Sequence, residues 1–256
     1  MDNAVLRFVV DVMTYRVARE LAPLISGAFR LACSMEVIEA MRGRASTRAF
    51  LEKPVTKETI ESILEAARWA PSGGNTQPWE VAVVAGEAKQ EIGDLMIEAL
   101  RSGDRGKADY QYYAHRFPEP YQTRRFACGM ALYDSLGIER TDKKARSSQW
   151  EKNYHGFGAP VELYFFIDEV LEQGSWIDCG MFIQNVMLAA RSFELETCPQ
   201  AALAEYPDIV REVLGVPFEK KLICGVALGY PLREASVNGY RTEREEVGGF
   251  TKWYGL

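Results

Sequence analysis

The stretch from Trp176 to Phe193 reads as one long helix of nearly all apolar residues, with Met181, Phe182, Val186, Leu188 and Ala189 among them. A helix that is apolar on most of its sides has no broad face to offer to water, so it must lie in a core or an interface. This segment therefore demands a body able to surround it. Val161–Ile167 is a continuous apolar run, short enough to be a buried strand. Leu222–Leu228 reads the same way, and Trp79–Val84 reads as another strand behind a turn-rich loop.

Most other segments carry helical signals. Met35–Arg42 reads as the end of a helix with Val37, Ile38 and Met41 inward and Gly43 placed to stop it. Thr56-Lys57-Glu58-Thr59 suits the cap of a helix running to Trp69, with Ile60, Ile63, Leu64 and Ala67 on one face. Ala88–Leu100, Thr123–Leu136, Lys143–Tyr154 and Tyr206–Leu214 also read as helices, and Asp104–Gln122 as irregular and rich in aromatics. Three apolar strands among many helices, without regular β-α-β alternation, predict an α+β fold. No repeat or linker divides the chain, so one domain is expected over residues 35–256. Met35 is itself a candidate start, which leaves residues 1–34 as an N-terminal extension of undetermined status. Leu6, Val10, Met13, Val17, Leu21 and Leu24 give that extension a helical apolar stripe, which suits docking better than membrane anchoring.

Composition removes several classes of function. The formal net charge of −6 shows no basic excess for nucleic acid or an acidic membrane. No uncharged run approaches the length of a bilayer span, and no secretory leader pattern is present. The five cysteines are scattered and odd in number, and the chain has only two histidines, His115 and His155. Unpaired thiols in a reducing cytoplasm are expected, with no metal site. The Gly-rich dinucleotide and phosphate-loop motifs, the zinc-protease motif and the nucleophile elbow are all missing.

Two segments carry candidate chemistry. If Arg44-Ala45-Ser46-Thr47-Arg48 is extended, alternate side chains point one way, and two guanidinium groups and a hydroxyl converge. Arginine forks match phosphate oxygens, although a solvated basic turn has the same composition. In Pro71–Pro78, Gly73-Gly74 permits close backbone approach to a ligand, and Asn75 and Gln77 each offer a donor and an acceptor to a ring edge. An ordinary helix-to-strand turn fits those residues equally well.

Arg44-x-Ser46-x-Arg48 followed by a helix and Pro71-Ser-Gly-Gly-Asn75-Thr-Gln77-Pro-Trp79 closely resembles the N-terminal pattern of FMN-dependent nitroreductases. The resemblance continues through Trp176-x-Asp178-x-Gly180, Gln184-Asn185, Cys198-Pro199-Gln200-Ala201-Ala202, Gly229-Tyr230-Pro231 and Arg241-x-x-Arg244, from about Met35 to Phe250. It implies a mixed central β-sheet flanked by helices, in an intertwined homodimer with two flavin sites at the interface. Arg44 and Ser46 are then phosphate ligands, with Arg241 and Arg244 a second clamp from the tail. Arg48 is the cation beside the flavin N1/O2 edge, and Asn75 faces the pyrimidine ring. Ser72 is a flavin contact that can come from the partner subunit. Gln77, Pro199 and Gln200 join the cofactor-binding set, and Ala201 and Ala202 belong to the loop whose backbone N–H faces flavin N5. The implied activity is ping-pong hydride transfer from NADH or NADPH through FMN to nitroaromatic or similar electron-poor acceptors, with no catalytic triad.

The same scaffold also suits quinone, enone or free-flavin reduction, dehalogenation, fragmentation of its own flavin, or a non-enzymatic FMN sensor or store. The aromatics of Tyr110–Tyr121 suit a lid over the flavin, and Arg124-Arg125 would attract an anionic substrate. A structured surface excursion with solvated arginines fits them too.

Overall fold

A computed structural model describes residues 35–256. The described residues form a short helix, α1 (Val37–Gly43), and a body from Arg44 to Leu256. In α1 only Ala40 is buried; Val37, Ile38 and Met41 are exposed, contrary to their expected inward placement. A stripe of three apolar residues on so short a helix fixes a face but not what covers it. The stripe of residues 1–34 lies outside the described residues.

The body is organised by β2 (Val161–Asp168), where every residue but the last is buried. It pairs antiparallel with β1 (Glu80–Ala85) on one side and β4 (Lys220–Gly229) on the other. β3 (Glu196–Gln200) then pairs antiparallel with β4, giving the order β1-β2-β4-β3. All four strands thus pair antiparallel, and the parallel element implied by a mixed sheet is a single bridge, Ser46 to Thr197. The α+β class stands. β3 was not foreseen as a strand: Glu196-Thr-Cys-Pro-Gln is short and contains proline. It lies at the sheet edge, where Pro199 removes no central ladder bond.

Successive residues of a strand face opposite sides of its sheet. Val161, Leu163, Phe165 and Ile167 pack with α2 (Lys57–Ala67) and α6 (Gln173–Arg191). Tyr164 and Phe166 face α3 (Gly86–Ser102), α7 (Pro207–Leu214) and the 3-10 turn Ala201–Glu205. That turn lies so close to the sheet that a Cβ at Gly225 would collide with Leu203. Thr56 caps α2 as expected, its hydroxyl accepting the amide of Thr59 at 3.3 Å. α6 buries Phe182, Ile183, Val186, Met187 and Ala190, while Ile177 on its outer side is exposed. Trp79 stacks on Phe182 with ring centroids 4.6 Å apart.

Between α3 and β2 the chain forms an excursion. An irregular stretch from Gly103 to Pro120 leads to α4 (Tyr121–Ser135) and α5 (Lys143–Glu151), then the 3-10 segment Lys152–Gly158. Its first part is anchored by Asp109, which holds Arg211 through bonds of 2.8 and 3.0 Å and accepts the Leu222 amide. The tail contributes two single-turn helices, α8 (Ser236–Gly239) and α9 (Val247–Phe250).

Candidate functional site

Extended backbone from Arg44 to Arg48 brings the first motif alongside β3, where the Thr47 amide donates to the Thr197 carbonyl at 3.0 Å. Arg44 is half-buried, and its Nη1 is buried with no hydrogen-bond partner. An unpaired buried guanidinium N–H is costly, and an anion removes the cost. Burial and the nearby charges of Arg244 and Arg241 all depress the Arg44 pKa, partly offset by Glu196. Arg241 and Arg244 lie exposed on the tail, so three cations from distant parts of the chain share this corner. Glu196 shares it too: burial raises its pKa despite the attraction of Arg191, Arg233, Arg241 and Arg44. One carboxyl is outnumbered by the three cations of this corner. The corner fits the phosphate of a bound nucleotide.

Arg48 is placed differently. Its Nη1 donates to the Tyr240 hydroxyl at 3.0 Å and to the Ser46 carbonyl at 3.2 Å. Its amide donates to Asn238 Oδ1 at 2.8 Å, and Asn238 Nδ2 donates to the carbonyls of Ala49 and Leu232. Asn238 and Tyr240 therefore tie the tail to the motif and aim the guanidinium. Neither was singled out from sequence, because they are joined to Arg48 only by the fold. A cavity of about 460 Å³ opens beside Arg48, lined also by Phe50, Ile97, Lys152, His155 and Phe157. Beneath the motif, the fully buried thiol of Cys198 bonds to Ser46; burial pushes its pKa up to about 11 against the pull of Arg48 and Arg44.

The Cys198–Ala202 segment runs along the same side. Pro199 is exposed, Ala201 half-buried and Ala202 buried in the 3-10 turn. The Gln200 side chain is directed inward: its Nε2 donates to the Asn153 carbonyl at 2.6 Å, tying β3 to the segment that lines the cavity. Gln200, expected among cofactor contacts, holds the wall of the cavity with that bond.

The second motif lies elsewhere in the body. Gly73-Gly74-Asn75 forms a 3-10 turn in which Gly74 and Asn75 both have φ of 58°, a region where glycine and asparagine are tolerated. The Gln77 amide donates to Ser72 Oγ, and Gln77 Nε2 to the Asn75 carbonyl, so part of their bonding capacity closes the loop on itself. The Gly73 amide donates to Asp178 Oδ2 near the start of α6. Glu196, by contrast, is 3.8 Å from Arg191 at the end of α6. From Asp178 to Arg191 is about 20 Å along the helix axis. The loop leads into β1 and the arginine motif flanks β3, and these strands are the two edges of the sheet. One chain therefore does not bring Ser72, Asn75 and Gln77 together with Arg44, Ser46 and Arg48.

The comparisons with known proteins cover most of the chain. The Nitroreductase family profile matches residues 41–230, which includes both motifs and Pro199–Ala202 but stops before Arg241 and Arg244. The 4-nitrobenzoate reductase of Pseudomonas putida is 36% identical over 213 residues, covering 83% of this chain and 93% of the relative. The nitrobenzene nitroreductase of Ectopseudomonas oleovorans is 36% identical over 214 residues, covering 83% and 94%. The crystal structure of the FMN-dependent nitroreductase NfnB from Mycobacterium smegmatis, in complex with NADPH, superposes with a TM-score of 0.81 at 34% identity, covering 85% of this chain and 97% of that one. Sequence and fold agree: this chain belongs to the nitroreductase family.

Proposed function

We propose that the protein is an FMN-dependent NAD(P)H oxidoreductase that reduces nitroaromatic or similar electron-poor acceptors. The observation that carries the proposal is the corner where Arg44, with its buried unpaired Nη1, meets Arg241 and Arg244 one short strand away from Arg48. Arg44, Ser46, Arg241 and Arg244 hold the phosphate. Arg48, steadied by Tyr240, would favour negative charge on the pyrimidine edge of the flavin, and Pro199–Ala202 would contribute to holding its ring. FMN supplies the capacity to take a hydride from the nicotinamide and pass two electrons to the acceptor. The remaining side chains bind, orient and exclude water.

The separation of the motifs supports a homodimer. Ser72, Asn75 and Gln77 reach a flavin held at the arginine corner only if they come from a second copy. The outer side of α6, with Ile177 exposed and Met181 and Leu188 half-exposed, offers an apolar surface for that copy. The catalytic body lies within residues 35–256, and removal of residues 1–34 is expected to leave FMN binding intact. Among the described residues no helix is long and apolar enough to cross a membrane, and the four described cysteines are free thiols, which suits a reducing cytoplasm.

The test is spectroscopic. Purified protein should be yellow, release FMN on denaturation, bleach with NADPH or NADH under anaerobic conditions and recover its colour on addition of a nitroarene. Bleaching without recovery by any nitroarene, quinone or free flavin would favour a sensor or store. Failure to bind FMN at all would overturn the reading.

A further inference from the structure

We propose that the cavity between α4 and α5 is a binding site for the oxyanion of an organic ligand, a carboxylate or a phosphate monoester. The cavity encloses about 310 Å³ and is lined by Arg125, Phe126, Met130, Tyr133, Arg140 and Arg146. Among the described residues, none of these three arginines has a carboxylate within ion-pair distance. Their neighbour Arg124 does, pairing with Glu245. In a chain of net charge −6, three guanidinium groups gathered without a counter-charge are not the background of an acidic surface.

Aromatic rings position them instead. The Arg125 guanidinium lies 4.4 Å from the centroid of Tyr113 and 4.8 Å from that of Phe117. Arg140 lies 5.7 Å from Phe126, and Arg146 lies 5.0 Å from Tyr133. Stacking uses the face of a guanidinium and leaves its N–H edge free to donate. Arg146 spends Nη1 on the Arg140 carbonyl at 3.1 Å, while its Nε is buried without a partner. That orphaned donor is a second, independent sign of a missing acceptor. Phe126, Met130 and Tyr133 add an apolar wall suited to the carbon frame of the ligand.

The cavity is connected to the candidate active site through one helix. α4 packs against α8, and Asn238 of α8 accepts the amide of Arg48. Arg125 and Phe126 also line a second cavity, of about 390 Å³, with His115, Arg116 and Phe117. The site stands on its own geometry; only its assignment to a reactant rests on the proposed function. Two reactants carry the right chemistry: an acceptor bearing a carboxylate, and the phosphate-bearing end of the nicotinamide donor.

The test compares FMN-loaded wild type with Arg140→Gln and Arg146→Gln. Arg140 is exposed, so its variant keeps the experiment decisive if Arg146→Gln fails to fold. Steady-state kinetics are measured with 4-nitrobenzoate against nitrobenzene, and with NADPH against NADH. Loss of one charged hydrogen bond should raise the KM of the anionic reactant about tenfold. A rise for 4-nitrobenzoate with nitrobenzene unchanged assigns the site to the acceptor. A rise for NADPH with NADH unchanged assigns it to the donor. Calorimetric titration of the same holoproteins with benzoate and with inorganic phosphate reads the site without turnover, so it stands even if no reductase activity is found. Binding of either probe that weakens about tenfold in the variants supports the site. If neither probe binds wild type, or if neutral and anionic reactants respond alike, the proposal is overturned.

Discussion

Replacing Glu162 by glutamine should remove a pH-dependent loss, so that the stability of the variant relative to wild type rises with pH. Glu162 sits in β2 with no solvent exposure, within an otherwise apolar run. Its Oε2 accepts the Tyr164 hydroxyl at 2.6 Å, while Oε1 is buried without a partner against Gly156, where no Cβ would fit. Burial pushes its pKa from 4.5 up to about 7, against the opposing pull of Lys89 and the Tyr164 hydrogen bond. Between those two values the folded protein holds a proton that the unfolded chain has released. Stability is therefore greatest at the acid end of the window and falls as pH rises, by about 1.4 kcal/mol per unit in the middle of it. From pH 5 to pH 8 the loss comes to about 2.5 kcal/mol. Nearby His155 acts in the opposite sense: burial lowers its pKa, so its contribution is lost as pH falls below its ordinary value of 6.5. The difference between variant and wild type cancels that term and isolates Glu162. The assay is urea unfolding of both proteins, saturated with FMN and at equal concentration, in steps from pH 5 to pH 8. The stability of Glu162→Gln relative to wild type should rise by about 2.5 kcal/mol across the series. A difference that stays flat, or falls, refutes the argument that burial dominates this carboxyl.

Three further outcomes are expected. Arg48→Ala should lower the two-electron midpoint potential of bound FMN by roughly 20–45 mV, the equivalent of about 1–2 kcal/mol, whereas Arg44→Ala should weaken FMN binding with little change in potential; a potentiometric titration with excess FMN that gives the reverse pattern would exchange their roles. Asp109→Asn should destabilise the fold by about 3 kcal/mol in urea unfolding, because it weakens a two-bond contact to the buried Arg211 and leaves that cation short of charge; a loss under about 1 kcal/mol would mean that Asp208 suffices. Brief treatment of the native protein with a thiol reagent at pH 8 should modify exposed Cys128 and spare Cys179, Cys198 and Cys224, whose pKa values burial raises to about 12, 11 and 12; peptide mapping that finds label at Cys198 would contradict its closed environment.

The parts of the fold that the sequence made legible are those in which local pattern and final environment agree. β2 and β4 are apolar runs covered on both faces, and α2 is announced by the Thr56 cap and its apolar stripe. β3 was hidden because a five-residue edge strand with an internal proline has neither length nor alternation to reveal it. The inward placement expected of Val37, Ile38 and Met41 failed for a related reason: an apolar stripe reports that a surface is to be covered, and not by which atoms. The site divides in the same way. Arg44, Ser46 and Arg48 were legible because extended backbone turns alternate residues to one side, a purely local rule. Asn238 and Tyr240 were not, since only the return of the tail places them against Arg48. The resemblance that gathered Ser72 and Asn75 with Arg44 into one cofactor set already allowed Ser72 to come from the partner subunit, but it left the copy that supplies Asn75 and Gln77 open. Two motifs at opposite edges of one sheet cannot serve one ligand within a single chain, so the geometry of the separated halves argues for the dimer more directly than any apolar surface does.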